Sequence, residues 1–100
     1  MTLLMSTKIR TKLANKIPPV SLEEIKECFA TRDYTYLEDE RENNRTIPPT
    51  WWFISDTFMG RKLKIVFIEL DSKDIAIKTA YEPNQDEIRF YRKYAAEVET

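Results

Sequence analysis

The side chains best placed to do chemistry are cations and hydroxyls set close together in the second half of the chain. Arg61 follows Gly60, the only glycine. Lys64 and Lys78 lie inside the apolar runs KLKIVFIEL and IAIKTAYE, and Thr79 and Tyr81 follow Lys78 closely. Arg89 and Arg92 come later, three residues apart. Guanidinium, ammonium and hydroxyl groups at this density can contact phosphate oxygens and stabilise charge that develops on them. Each residue also has a plain structural reading. A Lys on an apolar strand can reach solvent along its stem or pair with an acid such as Glu69. An Arg in a turn is exposed in any case. Tyr81 and Tyr91 suit a core, Arg89 and Arg92 can pair with Asp86 or Glu82, and Lys16 reads as a solvated residue at a helix end.

The composition narrows the chemistry. There is no His, which removes the usual general base and the commonest metal ligand. No cofactor or metal is expected. A single Cys, Cys28, cannot form an internal disulfide, and its place on a helix near apolar residues suggests a buried thiol in a reducing compartment. With 42% hydrophobic residues the chain should fold as one domain over 1–100. The net charge is −1, so no overall field draws it to nucleic acid or to a membrane. No apolar run approaches the roughly 18 residues of a spanning helix, and MTLLM does not look like a signal peptide. A cytoplasmic location is expected. Charge is nonetheless segregated. Residues 1–16 carry Lys8, Arg10, Lys12 and Lys16 without an acid, residues 23–45 are acidic, and basic residues return from Arg61. The two basic blocks are either solvated surface or one shared face for an anion.

The elements that must position these groups read as follows. Residues 6–17 show Ile9, Leu13 and Ile17 as a thin helical stripe ended by Pro18 and Pro19; this is a short docked helix or a frayed basic arm. Residues 20–31 form a helix opened by the capping box Ser21–Glu24, with Leu22, Ile25 and Phe29 on its buried face. Residues 34–37 are a short strand whose partner is either this chain or a second copy. A polar loop follows over 38–49. Residues 50–58 form a strand with Trp51 and Phe53 on one side and Trp52 and Ile54 on the other, covered on both sides there. Gly60 makes a turn with positive φ. Residues 62–70 form a central strand with Leu63, Ile65 and Phe67 on one face and Val66, Ile68 and Leu70 on the other, which Lys64 interrupts. A turn at 71–74 leads to a strand over 75–81. There Ala76, Lys78 and Ala80 oppose Ile75 and Ile77, and Thr79 and Tyr81 continue the Ile face. The last helix opens with a second capping box, Asn84–Glu87, and buries Ile88, Tyr91, Ala95 and Val98. The fold class is α+β: one or two N-terminal helices, a three- to four-stranded antiparallel meander, and a C-terminal helix, with helices on one face of the sheet.

Several of these stretches resemble one family. Val20-Ser21-Leu22-Glu23-Glu24 opens a helix ending in Phe29; Leu37-Glu38-Asp39 is acidic; Gly60-Arg61 precedes Leu63-Lys64-Ile65-Val66-Phe67; IAIKTA spans 75–80; and the last helix carries Glu87 and Tyr91. This pattern resembles the BrnT-type toxins of bacterial toxin–antitoxin systems, within the RelE-like, barnase-related ribonucleases. It covers roughly residues 16–94 of a core spanning 20–98, with 1–17 as a basic arm. The resemblance implies a metal-independent endoribonuclease in which a 2′-hydroxyl attacks the adjacent phosphate, held off by a cognate antitoxin. It implies a site of Arg61, Lys78, Thr79, Tyr81 and Arg89. Arg61 matches the family's turn Arg, and Thr79 its Ser or Thr near the end of the last strand. Glu87 and Tyr91 match an acidic and an aromatic position of the last helix. Where the family has Lys-His-Gly this chain has Lys16-Ile17-Pro18, and where it has an Arg after Ile-Ser-Ala this chain has Tyr81. The expected partners are RNA and the antitoxin, with a homo-oligomer open and no membrane. The other reading is a non-catalytic protein-binding module, an immunity or regulatory partner, using its sheet edge and the acidic loop 38–47.

Overall fold

The computed structural model describes residues 2–39 and 48–99, with the side chains of 98 and 99 excepted. The expected loop 38–49 and the inward place of Val98 therefore lie largely outside the described residues. The order is β1 (Leu3–Leu4), α1 (Thr7–Ala14), α2 (Leu22–Thr31), β2 (Leu37–Glu38), β3 (Thr50–Asp56), β4 (Lys62–Glu69), β5 (Ile75–Tyr81) and α3 (Gln85–Glu99). The α+β class and the C-terminal helix are as the sequence suggests. The sheet is wider, with five strands in the order β1-β5-β4-β3-β2. The β2–β3–β4–β5 run is antiparallel, and β1 adds a parallel edge. Among the described residues no helix is long and apolar enough to cross a membrane.

Local chemistry accounts for the boundaries. Ser6 caps α1, and the helix stops at Ala14, short of the prolines. Leu13 is fully buried, but Ile17 is 98% exposed and does not belong to the apolar stripe. The reason is the early stop: Val20 N–H already donates to Leu13 O, so the chain has turned before Ile17 could face the core. In α2 the Ser21 hydroxyl accepts from Glu24 N–H while the Glu24 carboxylate accepts from Ser21 N–H. The expected strand at 34–37 is displaced to Leu37–Glu38, because the carbonyls of Tyr34 and Thr35 accept from the Tyr91 hydroxyl instead of from a strand. That strand pairs with β3 of the same chain, Leu37 opposite Trp52. Gly60 closes the β3–β4 turn at φ +84°, a conformation that side-chain-bearing residues resist.

Helices cover both faces of the sheet rather than one. On the first face, Phe53, Ile65 and Phe67 of β3 and β4 meet α2. The Phe29 ring lies 4.7 Å from Phe53 and 5.5 Å from Phe67, edge-on in both cases, and Tyr36 completes the cluster. On the second face α3 sets Tyr91 against Trp52, 5.6 Å between ring centres. The two tryptophans point opposite ways, as their sequence positions require.

One irregularity decides what the second face contains. The β4–β5 register pairs Phe67 with Ile77 but Val66 with Thr79, so Lys78 is an extra residue, a bulge. A bulge shifts the in–out alternation by one position. Ala80 therefore joins Ile75 and Ile77 against the α2 layer and is fully buried. Thr79 and Tyr81 leave the Ile face expected for them and land beside Val66 and Lys64.

Candidate functional site

The bulge delivers Tyr81 opposite Lys64, at the end of the sheet where α3 begins. Lys64 is 7% exposed, in the middle of a strand whose neighbours are apolar. A buried ammonium is costly unless paired. Its Nζ lies 2.8 Å from Glu87 Oε2 and 4.4 Å from the centre of the Trp52 ring. The Tyr81 hydroxyl donates to the same Glu87 oxygen at 2.8 Å. Glu87 is also the third residue of the α3 capping box: its Oε1 accepts from Asn84 N–H at 3.1 Å, while Asn84 Oδ1 accepts from Glu87 N–H at 2.8 Å. One carboxylate thus caps a helix and neutralises a buried cation.

The charge states follow from this geometry. Burial pushes Glu87 upward, but the Lys64 hydrogen bond, then Asn84 and Tyr81, outweigh it and hold the carboxyl below its ordinary value. Burial, reinforced by the bond to Glu87, raises the Tyr81 phenol. Lys16 stands on the other side of Tyr81, its Nζ 5.3 Å from the ring centre. Its pKa is lowered, first by burial and then by Lys12.

Arg61 stands next to this group at the rim, on the other face of β4. Its guanidinium donates to Glu24 Oε2 at 2.9 Å and to the carbonyls of Pro19 and Pro18 at 2.6 and 3.1 Å. Glu82 lies 3.6 Å from its Nε. Lys16, Arg61, Tyr81 and Glu82 line one shallow pocket of about 320 Å³. In Glu24 burial acts upward, but the Ser21 backbone bond and then Arg61 win and lower its pKa.

Of the residues singled out from the sequence, the fold brings Arg61 and Tyr81 together and places Thr79 two residues along the same strand. Lys78 occupies the bulge, half-buried. Arg89 stands apart, exposed on α3 and ion-paired with Asp86. Lys64, Glu87, Lys16 and Glu24 carry more of the site than the sequence assigned them. One signal was available: a Lys amid an apolar strand demands an acid, and the third residue of a nearby helix cap is a ready one. Cys28 is fully buried and its thiol is pushed up to about 12, chiefly by burial, so it contributes packing and no nucleophile at neutral pH. Compared with family models, curated proteins and solved structures, the chain matches none.

Proposed function

We propose that the chain is a metal-independent endoribonuclease toxin, working in the bacterial cytoplasm under the control of a cognate antitoxin. The observation that supports this most is the convergence of Lys16, Arg61, Lys64, Tyr81 and Glu87 at one end of the sheet. A buried cation, an ionised carboxylate and a phenol in mutual contact do nothing for a core that apolar residues would not do better. In this reading the Glu87 carboxylate takes the proton of an RNA 2′-hydroxyl. The 2′-oxygen then bonds to phosphorus, and the bond from phosphorus to the 5′-oxygen breaks. Lys16, whose ammonium is made a readier acid by burial, gives its proton to the departing 5′-oxygen. The products are a 2′,3′-cyclic phosphate and a 5′-hydroxyl. Arg61 and Lys64 stabilise charge on the phosphate oxygens, Tyr81 orients Glu87, and Lys78, Thr79 and Arg89 contact flanking backbone.

A second reading is supported by a specific observation. Arg61 faces Glu24 and Glu82, and Lys64 faces Glu87, so both cations are already neutralised. On that reading the domain binds a protein partner and cleaves nothing. Incubating purified chain with RNA in the presence of EDTA separates the two. The first reading requires fragments ending in 2′,3′-cyclic phosphate, growth arrest on expression, and loss of both in Glu87→Gln. Intact RNA at micromolar protein together with normal growth sinks it and leaves the binding module.

A further inference from the structure

The second face of the sheet carries a groove of about 540 Å³ that the cleavage chemistry does not use. Trp52 and Phe90 form its aromatic wall, with ring centres 6.0 Å apart. Phe90 continues to Tyr94, one helical turn along α3, at 4.5 Å. These last two rings are 51% and 40% exposed. An aromatic strip left open on a helix in this way marks a contact surface. The groove's rim is acidic: Glu38, Asp39, Asp86 and Glu87 line it, and the one basic lining residue, Lys64, is committed to Glu87. Asp86 also faces Arg89, an exposed pair that solvent weakens.

We propose that this groove docks an arginine-bearing segment of a partner polypeptide. The charge of the rim selects a cation. The aromatic wall selects a guanidinium over an ammonium, because a planar, weakly hydrated cation stacks on a ring while its edges pair with carboxylates. The strip from Phe90 to Tyr94 extends about 6 Å along the helix at 1.5 Å per residue, further than one cationic head group reaches, so apolar side chains flank the arginine. RNA fits poorly, since its phosphates would face a rim of carboxylates. The proposal goes beyond the ribonuclease reading and stands whether or not the chain cleaves RNA.

The test is a titration of the full chain with the peptide Arg-Leu-Arg-Leu-Arg, followed by amide and indole NMR shifts. The expected result is saturable movement of the Trp52 indole and of amides in the first turns of α3. Binding should weaken at least about tenfold, the equivalent of roughly 1.4 kcal/mol, in the double variant Glu38→Gln/Asp86→Asn, and similarly in Phe90→Ser. Both sets of positions are exposed, and the same spectra report that the variants are folded. Should a variant unfold, Glu38→Gln alone and raised salt make the same measurement. The proposal is overturned by an absence of shifts on this face, by unchanged binding in the double variant, or by equal occupancy with Glu-Leu-Glu-Leu-Glu or with a short single-stranded RNA. Cleavage is assayed separately, so failure of either idea leaves the other standing.

Discussion

Two helix starts in this molecule solve the same problem differently. In α2 and in α3 alike, the third residue is a glutamate that closes a capping box through Oε1 and turns Oε2 to a cation at the start of β4. Glu24 takes Arg61 and Glu87 takes Lys64, three residues apart. Arg61 is at the rim, and its fork spreads over Glu24 and two carbonyls, with Glu82 nearby. Lys64 is buried, with a single carboxylate and two aromatic rings around its ammonium. The guanidinium has redundancy and the ammonium has none, so the same motif is a brace on one face and a charged, irreplaceable contact on the other.

The largest effect should come from breaking the pair without redundancy. Glu87→Ala leaves a buried ammonium unpaired, and chemical unfolding should show a loss of about 3 kcal/mol. Lys64→Met removes the cation instead and leaves Glu87 partly solvated, so stability should change by less than about 1 kcal/mol. Equal losses from the two substitutions would refute the assignment of Lys64 as the buried partner. Glu24→Ala should cost only about 1 kcal/mol by the same measurement, since Arg61 keeps its carbonyls and Glu82.

Acidity separates the faces further. Glu24 and Glu87 both have folded pKa values below the ordinary 4.5. Their contributions are complete above that value and are lost as pH falls through the lowered folded values. Tyr81 is the reverse: raised above 10.0 in the fold, it stabilises below that value, and the contribution is lost as pH climbs through the raised one. A stability profile should therefore have an acid limb fed from both faces and an alkaline contribution from Tyr81 that Tyr81→Phe removes. An alkaline limb unchanged in that variant would place the titration elsewhere.

The sequence carries the frame of this comparison but not its contents. Alternation in β4, the Gly60 turn and both capping boxes are short-range patterns, and each is present close to where the spacing puts it. The displaced element at 34–37 and the parallel edge at Leu3–Leu4 depend on partners distant in sequence, which local propensity cannot weigh. The site was hidden for a sharper reason. IAIKTAY alternates smoothly as letters, and nothing local announces that Lys78 is skipped by the ladder. A one-residue slip moves Tyr81 to the opposite face, and with it the only hydroxyl that joins Lys64 on Glu87. Glu87 itself was visible as a cap, a role that conceals its second oxygen.

The smallest effects test whether the caps and the ion pairs are separable. Ser21→Ala and Asn84→Ala each delete one side-chain acceptor from a helix start, while the backbone N–H at that position still reaches the glutamate. Each should cost about 1 kcal/mol in unfolding measurements. Neither should move the acid limb of the stability profile much, because Oε2 of each glutamate keeps its cation. If capping alone held Glu87 in place, Asn84→Ala would approach the cost of Glu87→Ala, and the buried Lys64 would be the passenger. If Lys64 and Tyr81 hold it, as two bonds of 2.8 Å to the same oxygen argue, the two cap variants should match each other and fall well short of Glu87→Ala.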